Sequence, residues 1–474
     1  MRKLNAARRL NLQTKGLETK WIGVILSVLA FVVWICILNS KPTGIYLYIE
    51  YLPLAYALIN LLFILAYENV TIVSAIILAF EFLRFVVSPF IVMMEEYPRG
   101  LYTLYIDRGN MIVSEFIMIY EMIVIYMCLI KTRKYSSITV DSDYMRNHLN
   151  KKEYYSKMGV ATLFVILITV ALFAAFPVLL SLYSFIFSGG LDLVTDTTAS
   201  AMDQLPSGMG WLATTFALIS QFALLQYFVF RFYRKYTATN KIRYFYLSAI
   251  IILFNLMITS SSVVINMIIS LSLLMELYFL YPTQRKKFIF FGATIGGVGV
   301  IVLVSSYLEN VLTYQTVSQM IQDYTNGYYS VYQCACAYKA ADLSWIDRIG
   351  MFFVGDGIAN ISPFNIFFDV INSSDIFNFY LYGTEFNGGA VVPYVSQFTY
   401  YLSPVIGPLV TAIPVYMARK TEYRWRNGRG NVLILGFLSL LYALLPFMYN
   451  APTFIHIITM ILIPLWAGSK INRL

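Results

Sequence analysis

Residues 21–38 read WIGVILSVLAFVVWICIL, a run without a charged side chain or a proline. A helix needs about 20 predominantly apolar residues to cross the hydrocarbon core of a bilayer, so this run reads as a membrane span. A segment rich in lysine and arginine, 1–20, precedes it, and no small-residue cleavage site follows it. The run is therefore expected to remain as an anchor and not to be removed as a signal peptide.

Similar runs continue at 45–66, 70–93, 111–130, 159–187, 211–230, 244–260, 263–281, 288–308, 391–417, 432–449 and 453–467. Together they predict an all-α polytopic membrane protein of about 12 transmembrane helices. The long runs 159–187 and 391–417 imply tilt or a stretch of interface. Three regions follow: nine spans over 1–308, a large external loop over 309–390, and three spans over 391–474. Composition agrees, since 59% of the 474 residues are hydrophobic, 12% are charged and the mean hydropathy is +0.68. Soluble domains carry about 25% charged residues, which excludes a soluble enzyme, a nucleic-acid binder and a disordered scaffold. Four cysteines are too few for a disulfide framework.

Lysine and arginine set the orientation. With the N-terminus inside, segments 1–20, 67–69, 131–158, 231–243, 282–287, 418–431 and 468–474 are cytoplasmic and hold 28 of the 34 basic residues. The positive-inside rule is then met at every basic loop, and both termini are cytoplasmic. The net charge of +9 is thus an orientation signal, and no nucleic-acid partner is expected. Lys41, Arg99, Arg108, Lys339 and Arg348 remain outside, and Arg84 lies within a span.

An external loop as long as 309–390 is uncommon without a function. Its stretch 361–382 sets Ile361, Phe364, Phe367, Phe368 and Ile371 at helical spacing, with Asn365, Asp369 and Asn372 between them. That pattern predicts an amphipathic helix against the membrane surface. A second helical stretch, 313–333, combines Tyr314, Tyr324, Tyr328, Tyr329 and Tyr332 with Gln315, Gln319, Gln322 and Asp323. Tyrosine gives a sugar both a ring to stack on and a hydroxyl to bond, so Tyr328 and Tyr329 are candidate sugar contacts; an interfacial aromatic belt is the alternative.

Arg348 stands in Asp347-Arg348-Ile349-Gly350, ahead of Gly355-Asp356-Gly357. A guanidinium holds phosphate oxygens well because its fork makes paired charge-assisted hydrogen bonds. Glycines let backbone N–H groups approach a ligand, although an Asp–Arg surface pair beside a tight turn is the simpler reading. Lys339, Arg99 and Arg108 complete the external cations, the last two among Glu95, Glu96 and Asp107. Inside the spans, Glu81 and Arg84 are three apart and can pair, or floor a cavity opening outward. Glu50, Glu115, Glu121 and Glu276 are also embedded. His456 is the histidine nearest the outer face. With no His/Cys cluster and no acidic pair motif in the first external loop, neither metal nor cofactor is expected. Asn360-Ile361-Ser362 and Asn372-Ser373-Ser374 match glycosylation sequons that matter only in a eukaryotic host.

Three stretches carry a family resemblance. They are Ile258-Thr259-Ser260-Ser261-Ser262, the Asp347-Arg348 to Gly355-Asp356-Gly357 segment, and the run after the loop. That run reads Gly388-Gly389-Ala390-Val391-Val392-Pro393, then Gln397-Phe398-Thr399-Tyr400-Tyr401-Leu402, then Gly407. With the span plan, the chain resembles the bacterial O-antigen and capsule polysaccharide polymerases, which are related to the O-antigen ligases. The resemblance implies a glycosyltransferase architecture of the C type in the bacterial cytoplasmic membrane. It also implies joining of oligosaccharide repeat units carried on undecaprenyl pyrophosphate, at the outer face, with no nucleotide sugar. A chain-length regulator and a flippase of the same pathway are the implied partners.

For that reaction the pyrophosphate calls for cations, drawn from Arg348, Arg99, Arg108, Lys339 and Arg84. The acceptor hydroxyl calls for a carboxylate or imidazole: Glu385, Asp356, Asp375 or His456. A ligase-like glycosyltransferase and a lipid-linked oligosaccharide flippase or transporter are the competing readings. A flippase would line several spans with cations, whereas here the polar mass sits in one external loop.

Overall fold

The computed structural model describes residues 2–66, 70–95, 107–135, 158–183, 209–255, 263–287, 290–298, 318, 321–322, 324–341, 343–361, 371–382, 392–427 and 430–472. Among the described residues it is 88% helical with no strand, so the all-α expectation holds. The quoted run lies in α1 (Arg2–Asn39), which ends just before Lys41, a residue with a φ of 50°. α2 (Tyr51–Ala66) and α3 (Ile72–Phe82) follow, the latter opened by a Thr71–Ser74 capping box. A π-helical turn at Leu83–Val87 runs into α4 (Ser88–Glu95). α5 (Arg108–Lys131) begins at Asp107, whose carboxylate accepts from the N–H groups of Gly109 and Asn110 at 2.8 and 3.2 Å. α6 (Val160–Ala175), α7 (Met209–Thr239), α8 (Arg243–Asn255) and α9 (Val263–Leu280) complete the first region.

The stretch 309–390, expected to be an external loop, contributes α10 (Tyr328–Ala341), α11 (Trp345–Gly350) and α12 (Ser373–Tyr382). The last region holds α13 (Tyr394–Leu402), α14 (Ala412–Arg426), α15 (Val432–Met448), α16 (Ala451–Ile457) and α17 (Ile463–Ile471). Among the described residues, six helical stretches are long and apolar enough to cross a membrane: Trp21–Asn39, Gly44–Ile64, Ile72–Met94, Arg108–Lys131, Met209–Thr239 and Ala451–Ile471. Val160–Ala175, Arg243–Asn255, Val264–Leu280 and Val432–Met448 are apolar but shorter.

The long runs differ from the reading of one tilted helix each. In 391–417, α13 stops at Leu402, Ser403 adopts a φ of 128°, and a 3-10 turn at Gly407–Thr411 precedes α14. Pro404 and Pro408 explain the break, because each removes a backbone donor and restricts the residue before it. In 159–187, α6 ends before Pro177 and a 3-10 turn follows. Of the expected amphipathic stretch 361–382, residues 362–370 lie outside the described residues, and α12 is the helical part seen.

Packing centres on α15, which contacts α3 on one side and α9 on the other, with α14 alongside. α1, α2 and α5 join the α3 side; α6, α8 and α17 gather around α7. A Cβ on Gly468 of α17 would lie 2.7 Å from Phe222 Cβ and 3.0 Å from the Ala223 nitrogen, so α17 approaches α7 closer than any side chain allows.

Loops on the same expected side meet one another. Thr162 donates to Asn472 Oδ1 at 2.6 Å, Asn431 Nδ2 to Ser469 at 3.1 Å, and Tyr236 lies 2.9 Å from Thr283. On the opposite side, Tyr329 donates to the Ile45 carbonyl at 3.2 Å and Asn450 to Ser374 at 3.2 Å. One cation counted as an orientation charge has a second role. Arg419 is fully buried, its Nη1 2.5 Å from Glu422 Oε2 and bonded to the Thr71 hydroxyl. Thr71 also donates to Glu422 Oε2 at 2.7 Å, so α14 clamps the N-terminal end of α3, where the helix dipole favours a carboxylate.

Candidate functional site

A cavity of about 470 Å³ lies among four helices. Asn110, Val113 and Ile117 of α5 form one wall; Val331, Ala335, Tyr338 and Lys339 of α10 form the next. Trp345 and Arg348 of α11 and residues from Ser396 to Pro404, spanning α13 and its break, close the rest. The break matters because it ends the α13 ladder, whose cap bond runs from the Ser403 N–H to the Thr399 carbonyl at 2.9 Å. Arg348 reaches this end of the helix: Nη1 donates to the Tyr400 carbonyl at 3.3 Å, and Nε to the Leu343 carbonyl at 3.1 Å. Its guanidinium lies 4.6 Å from the centre of the Tyr400 ring, which in turn stacks on Tyr338 at 4.0 Å. Cation, ring and ring thus form a three-layer stack that fixes the charge at the cavity wall. The other N–H groups of Arg348 have no partner among the described residues.

Asp347 is not the partner of Arg348, contrary to the simpler sequence reading. Ser344 caps α11 and donates to Asp347 Oδ2 at 2.5 Å, which turns the carboxylate away. Lys339 reaches Asp107 Oδ2 at 3.3 Å with its side chain 70% exposed, a bridge weak enough to yield to a stronger anion. The Asn110 N–H, then Lys339, hold the Asp107 carboxyl below its ordinary value. Arg108 is exposed, next to Asp107 at the start of α5, and does not line the cavity. The structure therefore brings Arg348 and Lys339 to one cavity. Arg99 and Glu385 lie outside the described residues.

The remaining candidates sit elsewhere. Arg84 is fully buried and pairs with Glu121 of α5 at 2.7 Å, not with Glu81 as the spacing suggested. Tyr328 and Tyr329 are 3% and 2% exposed, and their hydroxyls donate to the Met111 and Ile45 carbonyls. Their rings pack α10 against the bundle and offer no open face to a sugar, which corrects that expectation. His456 is exposed on α16, a helix that packs on the turn at Ile358–Asn360 and does not line the cavity.

Asp356 is 1% exposed. One oxygen accepts from the Ser373 N–H at 2.9 Å and the Ser373 hydroxyl at 3.1 Å; the other accepts from Gln397 Nε2 and the Tyr401 hydroxyl, both at 2.5 Å. Burial pushes its carboxyl above the ordinary range, against the pull of the Tyr401 hydroxyl, Ser373 and Gln397. Gln397 also accepts from the Ala451 N–H at 3.0 Å. A carboxylate so saturated ties four segments together and positions Tyr401, which does line the cavity. The flanking glycines serve this knot and not a ligand, since a Cβ on Gly355 would collide with the Ile371 carbonyl. Gly355→Ala is expected to lower stability by about 1–3 kcal/mol through that overpacking. Equal thermal midpoints for variant and wild type in detergent would refute this reading.

Sequence reasoning missed Tyr338 and Tyr400 as the support of Arg348, and Thr399, whose buried hydroxyl lines the cavity without a protein partner. The Tyr400-Tyr401 pair was in view as a motif, but nothing local says which cation it meets. Among the described residues no group of three His, Cys, Asp or Glu side chains could hold a metal ion. Outside the polar wall, Trp345 and Ile346 are 71% and 77% exposed, and Leu402, Val405 and Ile406 also project outward. The cavity thus opens beside an apolar rim with cations at its mouth, an arrangement suited to an anionic group attached to an apolar tail. Comparison with known proteins finds no matching family model, no matching curated protein and no matching solved structure.

Proposed function

We propose that this chain is a polysaccharide polymerase of the bacterial cytoplasmic membrane, with both termini inside, about 12 spans and a glycosyltransferase architecture of the C type. Its substrates are oligosaccharide repeat units on undecaprenyl pyrophosphate, and it extends a capsule, O-antigen or exopolysaccharide chain at the outer face. The observation that carries this reading is the cavity that joins Arg348 and Lys339 to an apolar rim. In the reaction, an acceptor hydroxyl oxygen bonds to the anomeric carbon of the growing chain. The bond from that carbon to the pyrophosphate oxygen breaks, its electron pair stays on the pyrophosphate, and the hydroxyl proton passes to a base. Arg348 and Lys339 stabilise the leaving group, with Arg108 and Arg99 as further cations. Glu385 takes the proton; Asp356 acts by holding Tyr401 on the cavity wall.

Purified protein incubated with a lipid-linked repeat unit is expected to give a ladder of chain lengths. A single transfer to another lipid acceptor would instead identify a ligase-like enzyme. The buried charges between α2, α3 and α5 favour a second reading, a lipid-linked oligosaccharide flippase or transporter. Deleting the protein separates the two: single units left on their carrier outside support the polymerase, and units accumulating inside overturn it.

A further inference from the structure

Polar side chains that the proposed reaction does not use gather between α2, α3 and α5. Arg84 sits in the π-helical turn at Leu83–Val87, a distortion that occurs often at functional sites. Its Nη1 holds Glu121 Oε2 at 2.7 Å and its Nε donates to the Asn326 carbonyl at 3.1 Å. One turn earlier, Glu81 is fully buried and neither of its oxygens has a protein partner. Arg84 Nη2, Glu121 Oε1 and Asn326 Nδ2 are also buried without one. An open donor and an open acceptor on the two halves of one ion pair are the groups that a bridging water would join. One guanidinium stands among two carboxylates, and its bond goes to Glu121. An ionised Glu81 would then be a second charge away from water with no donor of its own.

We propose that Glu81 is a proton-binding site within the membrane, taking up and releasing its proton through water held by Arg84 and Glu121. On uptake a carboxylate oxygen of Glu81 forms an O–H bond and the charge of the three side chains goes from net negative to neutral; release reverses it. The groups facing Glu81 are Arg84 on its own strand of helix, Glu121 and Tyr126 from α5, and Tyr56 from α2. α14 brings Arg419 and Glu422 only to the far end of α3, at Thr71. α15 carries Tyr442 as its titratable group, and α4 carries Glu95 at its far end. The site is an intramembrane one with a named cation partner, as functional ionisable groups in spans usually are.

Carbodiimide adds to protonated carboxyls in apolar surroundings, which supplies the test. The purified protein, treated with dicyclohexylcarbodiimide over a range of pH, is expected to carry an adduct on the Glu81 peptide. Its yield should fall roughly tenfold per pH unit above the titration point of the carboxyl. Infrared spectra should show a protonated-carboxyl carbonyl band that shifts promptly in D2O and is missing in Glu81→Gln. No adduct at Glu81 at any pH overturns the proposal. So does a band that stays unshifted in D2O, which marks a sealed acid that exchanges with nothing. The adduct and the D2O shift are read on the wild-type chain, so they decide the question even where the variant fails to fold.

Discussion

In the proposed reaction, Arg348→Ala is expected to cut chain extension by about two to three orders of magnitude, the usual effect of removing a preorganised charge from a reacting centre. The protein should remain inserted and abundant, since Arg348 lies at a cavity wall and no buried acid depends on it for charge. The variant loses the cation and also the contacts that hold Tyr400 in place. Arg348→Lys separates the two losses. It keeps the charge but has neither the planar stack on Tyr400 nor the fork that reaches Leu343 and Tyr400 together, so partial activity is expected. Polymer lengths in Arg348→Ala equal to wild type would remove Arg348 from the reaction.

Asp356→Ala is expected to destabilise the segment around Asp356 and Ser373 by about 3–5 kcal/mol, because four donors lose one acceptor in a buried place. Limited proteolysis should then open the chain near Asp356 and Ser373 while the spans stay protected. Asp356→Asn should fall between, since its amide group presents a donor where Gln397 or Tyr401 already donates. The pH dependence has a defined sign. The native carboxyl binds its proton more tightly than the unfolded one, as burial outweighs the hydrogen bonds. Its contribution is therefore fully present below the unfolded value of roughly 3.9 and is lost as pH rises through the native value. Protease resistance of this segment should decline over that window in the wild type and decline less in Asp356→Asn. A wild-type resistance that climbs with pH would show the hydrogen bonds dominating burial.

The helical membrane fold was legible because a bilayer imposes a long, uninterrupted apolar requirement that the runs at 21–38, 111–130 and 211–230 meet in plain view. Hydropathy could not see the break inside 391–417, since Pro404, Gly407 and Pro408 are no less apolar than a continuing helix. Of the cations outside the expected cytoplasmic segments, Arg348 and Lys339 line one cavity. Their supports were hidden because they are non-local. Tyr400 follows Arg348 by 52 residues of chain, with α12 and two stretches outside the described residues between. Arg84 shows the same limit: spacing offered Glu81 on its own helix, whereas the fold supplied Glu121 from α5. Asp356 reads in the sequence as a candidate base for the acceptor hydroxyl; only its contacts with Ser373, Gln397 and Tyr401 reveal a fastening.

The apolar rim of Trp345, Ile346, Leu402, Val405 and Ile406 has a consequence for how the cavity is filled. A ligand with a lipid tail arrives along the leaflet, in two dimensions. Its occupancy then follows its mole fraction among the surrounding lipids and not its quantity per volume of solution. Diluting a suspension of membranes leaves turnover per membrane unchanged, whereas diluting the carrier with inert lipid lowers it.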